Sequence, residues 1–323
     1  MPTRLSLLLV TVVLALLLLT GNARADDPSY AQRLGWASDD RLVIFHIDDA
    51  GMSHSSNRGS IKAIEQGVAN SVSTMMPCSW VPAWAKYLDK NPEVDNGLHL
   101  TLTSEWDNYR WGPLAGAATV PGLVDEEGCL WNNVPLVIAH ATADEVETEI
   151  RAQVARAEKM GMPITHIDSH MGTLFASPLF FERYLKVGAE KGYPILVAGG
   201  HLQYLSQEGP IPTAVVRQMA RKAWEAGLPV LDDIHTNSYD WDRDEKTDRF
   251  IEVLRGMQPG ILEIVIHATD PSDVFPEISG SSATRKGDME AMIDPRLAAV
   301  IEEEGIILTT WRELKERRDK VAE

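Results

Sequence analysis

Apolar residues in this chain fall into short continuous runs separated by longer stretches in which they recur every three or four positions. The short runs lie near Leu42 to Ile47, Ser71 to Met76, Gly97 to Leu102, Ile164 to Ile167, Pro194 to Ala198, Pro229 to Leu231, Leu262 to His267 and Ile306 to Thr309. Their length and β-branched content predict strands buried on both faces, as in a parallel sheet. The periodic stretches predict helices over Ser56 to Gln66, Trp80 to Leu88, Ala143 to Met160, Pro178 to Lys191, Pro212 to Ala226, Lys246 to Met257, Pro295 to Glu303 and Trp311 to Ala322. Strand followed by helix, repeated seven or eight times, is enough to close a parallel sheet on itself. The predicted fold class is therefore α/β: a single (β/α) barrel, distorted or incomplete and TIM-like, with long active-site loops. A doubly wound open sheet is the alternative. Neither internal repeats nor a Pro/Ser-rich linker divides residues 26–323, which predicts one domain.

Two connections are much longer than the rest, residues 103–142 and 268–294. Long segments of this kind in a compact domain are usually functional loops or lids. Both follow strands of the kind whose carboxyl ends build the active sites of such folds.

Reading only strand ends collects a short set of polar residues. The run Val43-Ile44-Phe45-His46-Ile47 stops at Asp48 and Asp49, followed by Gly51. Neighbouring side chains on an extended backbone point opposite ways, which predicts different surroundings and different roles for the two acids. An Asp-Asp pair at a strand end is otherwise a common helix cap or turn. His99 lies within an apolar strand, where an isolated imidazole is more often a hydrogen-bonded core residue. His166, Asp168 and His170 share one face of an extended segment, an arrangement unusual for a purely structural strand. At most two of these three are expected to be ligands, with Asp168 fixing an imidazole tautomer. His267 ends the run Ile264-Val265-Ile266. An aspartate and two histidines meeting at one barrel mouth suit Zn²⁺ or another dication, with positions left for water and substrate. A second aspartate could then act as base and a further histidine as acid.

The remaining histidines rank lower. His46 and His54 flank the pair and could touch the pocket, but simple alternation is taken to turn His46 away from Asp49's neighbour, and His54 lies in a loop leading to a helix. His140 and His201 read as surface residues, and His235 as a strand-end residue with a substrate-facing role as one option. Trp106, Tyr109, Trp111 and Trp131 crowd the first long loop, where they could stack on a sugar ring or anchor the loop.

Composition narrows the partners. The chain carries 47 acidic and 30 basic residues, a formal net charge of −17, so a phosphate backbone is an improbable partner and nucleic acid is set aside. At the N-terminus Arg4 precedes an apolar stretch from Leu5 to Leu19 and an Ala23-Arg24-Ala25 site. A bilayer span needs about 20 apolar residues, so residues 1–25 read as a cleaved secretory signal peptide, with a periplasmic or secreted product and no stable membrane insertion. Only Cys78 and Cys129 are present. A bridge between them and a pocket-lining thiol at Cys78 are both open.

The motifs resemble those of the YdjC-like carbohydrate deacetylases, the family of the chitooligosaccharide deacetylases. The resemblance rests on Asp48-Asp49-Ala50-Gly51-Met52-Ser53, Asn57-Arg58-Gly59, Ser71-Val72-Ser73-Thr74-Met75-Met76, Gly97-Leu98-His99-Leu100-Thr101-Leu102-Thr103, Thr165-His166-Ile167-Asp168-Ser169-His170 and Glu263-Ile264-Val265-Ile266-His267. It implies a distorted (β/α) barrel and metal-dependent removal of an N- or O-acetyl group from a carbohydrate or glycoconjugate. By motif position Asp49, His99 and His170 would hold a divalent metal, Zn or Mg, with Asp48 as general base and His267 as general acid. His166 stays open as the alternative to His170, because the register at that strand end is uncertain by two residues. The chain departs from the family pattern at Ala50, usually aromatic, at His46, commonly Asn, at Gly172, often a further His, and at Ala268, usually Pro. A non-catalytic glycan-binding protein on the same scaffold is the competing reading. A glycosidase fits poorly, because its two carboxylates must flank a sugar and these are adjacent. Nothing in the sequence decides between a monomer and a homodimer.

Overall fold

A computed structural model describes residues 27–208 and 212–321; the signal-peptide reading of residues 1–25 lies outside them. Seven parallel strands are present among the described residues: β1 Arg41–Ala50, β2 Ser71–Thr74, β3 Asn96–Leu100, β4 Ile167–Ser169, β5 Asp233–His235, β6 Gly260–Ile266 and β7 Ile307–Leu308. Their order is β4-β3-β2-β1-β6-β5, with β7 pairing the start of β1. The arc between β4 and β5 is spanned only by isolated bridges, Ile167 with Ile195 and Ala198 with Leu231. The result is a curled, incomplete (β/α) barrel surrounded by helices. The strands expected at Pro194 to Ala198 and Pro229 to Leu231 are thus reduced to single pairings. A proline begins each run, and proline cannot donate to a ladder.

The two long connections are less irregular than expected. Residues 103–142 contain the helix Val134–His140, and residues 268–294 contain helices Phe275–Ile278 and Ser282–Met292. Helix starts follow local chemistry: Thr142 and Glu145 form a reciprocal capping box on Ala143–Lys159, and Ser53 caps His54–Gln66 through the Ser56 N–H.

Alternation along the strands separates two environments. Val43, Phe45 and Ile47 of β1, with Leu262, Ile264 and Ile266 of β6, pack into the large core shared with the helices. Leu42, Ile44, Ile261 and Val265 point to the other face, into the lumen, with Trp311 and Leu314. Moving up the lumen, that apolar floor gives way to polar residues, because the next positions on the same faces are His46 and Asp48 on β1 and His267 beyond β6. Gly97 of β3 belongs to this layer: a Cβ there would collide with the His166 imidazole, so only glycine leaves room for the ring. A barrel of this sort therefore delivers its chemistry to one end, at the carboxyl termini of the strands.

Candidate active site

Asp48 and Asp49 sit where β1 breaks its register with β2. Ile47 pairs with Val72 and Ala50 with Thr74, so β1 advances three residues while β2 advances two. This is a bulge, a device that re-aims side chains at sheet ends. Asp49 takes up the extra residue with φ at 68°, a left-handed conformation uncommon outside glycine. Gly51 follows at φ 81°, where a side chain would also strike Val81. The expectation that the pair must point opposite ways is therefore corrected, since it assumed regular extended backbone. Both carboxylates reach the same edge of His99: Nε2 lies 3.6 Å from Asp48 Oδ2 and 3.5 Å from Asp49 Oδ1. Their surroundings do differ. Asp49 is buried and bound at Oδ2 by Arg285 Nη1 at 2.6 Å, whereas Asp48 retains some exposure.

Cross-strand register supplies the next contacts. His99 of β3 lies beside Asp168 of β4, and His99 Nδ1 meets Asp168 Oδ1 at 2.7 Å. That contact leaves His99 Nε2 free to face Asp49. The other oxygen of Asp168 accepts from His46 Nε2 at 2.9 Å. His46 is also 3.3 Å from Asp48 Oδ1, so the reading that turned it away is corrected; residues two apart on a strand share a face. Behind it, His46 Nδ1 contacts Ser71 Oγ, which donates to Asp95.

His170 completes the cluster. Its Nδ1 is 3.5 Å from Asp49 Oδ1 and 3.1 Å from His99 Nε2, while its Nε2 is held by both oxygens of Glu105 at 2.9 and 3.1 Å. His166, the other candidate, lies lower in the lumen, stacked on Trp311 at 5.3 Å and 3.9 Å from Asp168. The structure brings His170, not His166, to Asp49. His267 closes the opposite side, with Nε2 3.8 Å from Asp48 Oδ2. His235 is buried between Tyr204 and Trp241, away from solvent.

The charges are mutually reinforcing. Burial works against ionisation of Asp49, but the Arg285 guanidinium, then His170 and His267, hold its carboxyl well below the usual range. Burial likewise disfavours a charged His170, and the carboxylates of Glu105 and Asp49 overcome it and push its pKa up to about 10. His99 is raised in the same way by Asp48 and Asp168. His267 goes the other way, lowered by burial and by Arg285. Below the cluster, burial pushes Glu263 up to about 8.

Asp49, His99 and His170 form a group whose donor atoms could hold a metal ion. Three observations fit one. The separations among Asp49 Oδ1, His99 Nε2 and His170 Nδ1 run from 3.1 to 3.5 Å; ligands about 2.1 Å from a common centre would be roughly 3.0 to 3.4 Å apart. Asp49 Oδ1 is buried without a hydrogen-bond partner, a state that costs about 1–3 kcal/mol unless something binds there. Each imidazole is oriented by a carboxylate on its far nitrogen, as metal-binding histidines usually are. Other groupings centred on Asp168 are weaker candidates, because its oxygens already engage His99 and His46.

Glu105 and Arg285 were absent from the sequence reading. Glu105 lies in the loop after β3, in no periodic pattern, and Arg285 lies on the helix Ser282–Met292 within a connection read as irregular. Of the loop aromatics, Trp111, Tyr109 and Trp131 are pinned by bonds to the Thr103, Met52 and Gly122 carbonyls. Trp106 packs edge-on to Trp111 with Arg285 over its ring at 5.6 Å. Cys78 and Cys129 are free thiols, Cys78 buried.

Residues 42–303 match the model of the YdjC-like protein family. The chain is 30% identical over 276 residues to a carbohydrate deacetylase of Thermus thermophilus, covering 85% of this chain and 94% of the relative. It is 24% identical over 275 residues to a carbohydrate deacetylase of Thermoanaerobacter pseudethanolicus, covering 85% and 100%. Among solved structures, one from Enterococcus faecalis V583, described in terms of cellobiose-phosphate cleavage, superposes with a TM-score of 0.72 at 20% identity, covering 85% of this chain and 99% of that one. At that identity the likeness speaks for the fold.

Proposed function

The chain belongs to the YdjC-like protein family, and from that premise we propose that it is an exported, divalent-metal-dependent hydrolase that removes an N- or O-acetyl group from a carbohydrate or glycoconjugate. Its relatives are carbohydrate deacetylases. One observation carries the reading. A buried, unpartnered Asp49 oxygen faces two carboxylate-oriented imidazoles, and a second carboxylate with some exposure stands next to them.

In this reading Asp49 Oδ1, His99 Nε2 and His170 Nδ1 hold the metal, Zn²⁺ or Mg²⁺. When bound, the ion would polarise the acetyl carbonyl and acidify an attacking water. Asp48 is the base. Its Oδ1 is held by His46, and its Oδ2 opens between His99 and His267 to take the water's proton. His267 is the acid. Burial and Arg285 keep its imidazole neutral at rest, so it must acquire a proton during the reaction, and Asp48 Oδ2 at 3.8 Å is the nearest carboxylate source. His267 Nε2 then delivers that proton to the departing sugar nitrogen or oxygen. Arg285 positions rather than reacts: it occupies Asp49 Oδ2 and leaves Oδ1 for the metal.

A product assay tests this directly. Acetylated oligosaccharides are expected to yield acetate without new reducing ends, with release abolished by a chelator and restored by a dication. Oligosaccharide binding without acetate at any metal or pH would support the glycan-binding alternative. The apolar segment of residues 5–19 supports export and hence a glycan outside the cytoplasm. Fractionation of cells producing the full chain should recover a product starting near Asp26 in the periplasm or medium.

A further inference from the structure

His267 is held differently from the other imidazoles of the site. His99 and His170 are each gripped by a carboxylate at the far ring nitrogen, whereas His267 Nδ1 is buried with no hydrogen-bond partner among the described residues. The hold on His267 comes through its backbone. Its N–H donates to Asp288 Oδ2 at 2.9 Å, and its carbonyl accepts from Thr269 Oγ1 at 3.2 Å. Asp288 Oδ1 in turn receives Lys246 Nζ at 2.5 Å, and the same ammonium donates to the Ser238 carbonyl at 2.7 Å. Lys246 and Asp288 are both fully buried.

Stability is a poor explanation for this ion pair. A buried pair does no better, as a rule, than apolar side chains of the same volume. Lys246 also opens the helix Lys246–Gly256, where a cation meets the positive end of the helix dipole. Placement explains it better. Asp288 follows Arg285 by three residues on the helix Ser282–Met292, so the two share a face. Arg285 binds the Asp49 carboxylate and Asp288 the His267 N–H, while the Arg285 carbonyl accepts from the Thr269 N–H at 3.2 Å. A single helical turn thus ties His267 to the Asp49 cluster.

We propose that Lys246 and Asp288 are positioning residues: their buried ion pair fixes the His267 backbone, and through it the imidazole, where it can protonate the departing group. The proposal rests on the deacetylase reading above, in which His267 is the acid. Neither residue touches substrate; Lys246 anchors Asp288, and Asp288 anchors His267. Such a hold matters because a displacement of about 1 Å in a reacting group can cost about 10²-fold in rate.

The test separates holding His267 from holding the fold. Lys246→Met/Asp288→Leu exchanges the ion pair for apolar side chains and takes the acceptor from the His267 N–H; Lys246→Met/Asp288→Asn removes the same charges but keeps an amide oxygen for it. Each metal-reconstituted protein is given an N-acetylated oligosaccharide, whose amine must be protonated to leave, and 4-nitrophenyl acetate, whose phenolate leaves without a proton. The ratio of oligosaccharide to ester kcat should fall about tenfold to a hundredfold in Lys246→Met/Asp288→Leu, with KM for the oligosaccharide unchanged, and recover in large part in Lys246→Met/Asp288→Asn. An equal loss on both substrates, a loss confined to KM, or no recovery with asparagine overturns the positioning role. If Lys246→Met/Asp288→Leu does not fold, Asp288→Asn alone decides: the ammonium and the His267 N–H then compete for one amide oxygen, the ratio should fall about threefold, and an unchanged ratio overturns the role. If the wild type releases no acetate from any sugar, the deacetylase reading fails, and the His267 imidazole resonance, assigned by its loss in His267→Gln, still tests the hold. Displacement of that resonance in Lys246→Met/Asp288→Leu and its return in Lys246→Met/Asp288→Asn support the hold, and an unmoved resonance overturns it.

Discussion

The molecule contains two adjacent aspartate pairs at strand positions, Asp48-Asp49 on β1 and Asp232-Asp233 at the start of β5, and they are put to opposite uses. Asp232 accepts the backbone N–H groups of Tyr30, Ala31 and Ile261. Asp233 accepts those of Tyr204, Leu205 and Ile234. Both are buried, and their oxygens are spent on tying the N-terminal segment and a loop to the barrel. Asp48 and Asp49 face imidazoles and a guanidinium instead, and one Asp49 oxygen has no partner. The same dipeptide is a clamp where backbone donors surround it and, where they do not, keeps carboxylate oxygens for the role proposed above. What separates the two is the supply of donors, which depends on the bulge that pulls Asp49 out of the strand.

The largest expected break in this contrast comes from Asp49→Asn. The substitution removes the proposed anionic ligand, so metal should be lost and acetate release should fall by about 10³-fold or more, roughly 4 kcal/mol of transition-state stabilisation. Metal content by mass spectrometry and acetate release by enzymatic assay check it. Asp232→Ala should act on stability instead. Three backbone N–H groups lose their acceptor, at a cost of about 3 kcal/mol in unfolding free energy. Denaturant titration measures that loss, and the folded protein should still bind one equivalent of metal. If Asp232→Ala also emptied the metal site, the two pairs would not be independent.

A smaller effect is expected from Glu105→Gln, which keeps the shape beside His170 but not the charge. Metal affinity should weaken about tenfold to a hundredfold, the usual consequence of losing an outer carboxylate. The pH dependence of metal binding sharpens the same point. His170 in the metal-free protein is raised to about 10 by Glu105 and Asp49 against the opposition of burial, so binding a cation must displace its proton. Affinity should therefore rise about tenfold per pH unit between roughly 7 and 9. The sign for folding is the reverse: a raised imidazole stabilises the metal-free protein below about 6.5, and that contribution is lost as pH climbs toward 10. Affinity independent of pH would remove His170 from the ligand set.

Much of this was legible in the sequence, and the gaps have physical causes. Strands buried on both faces announce themselves by composition, so β1, β3 and β6 stood out, and with them Asp48, Asp49, His99 and His267. The alternation His166-x-Asp168-x-His170 marked one face correctly, but it could not say which imidazole stood level with Asp49, because that depends on register across β3 and β4. Bulges leave no periodic trace, so the shared environment of Asp48 and Asp49 was hidden. Glu105 and Arg285 reach the site from connections whose course is set by tertiary packing. Runs beginning in proline, at Pro194 and Pro229, carry strand composition yet donate too few bonds to become full strands.

The central claim is the division of labour within Asp48-Asp49, and Asp48→Asn measured for metal and turnover in the same preparation tests it most directly. The account predicts one equivalent of bound metal, as in the wild type, with acetate release from an acetylated oligosaccharide reduced by about 10²- to 10⁴-fold, the usual range for a lost general base. Wild-type acetate release, or loss of the metal, would contradict it.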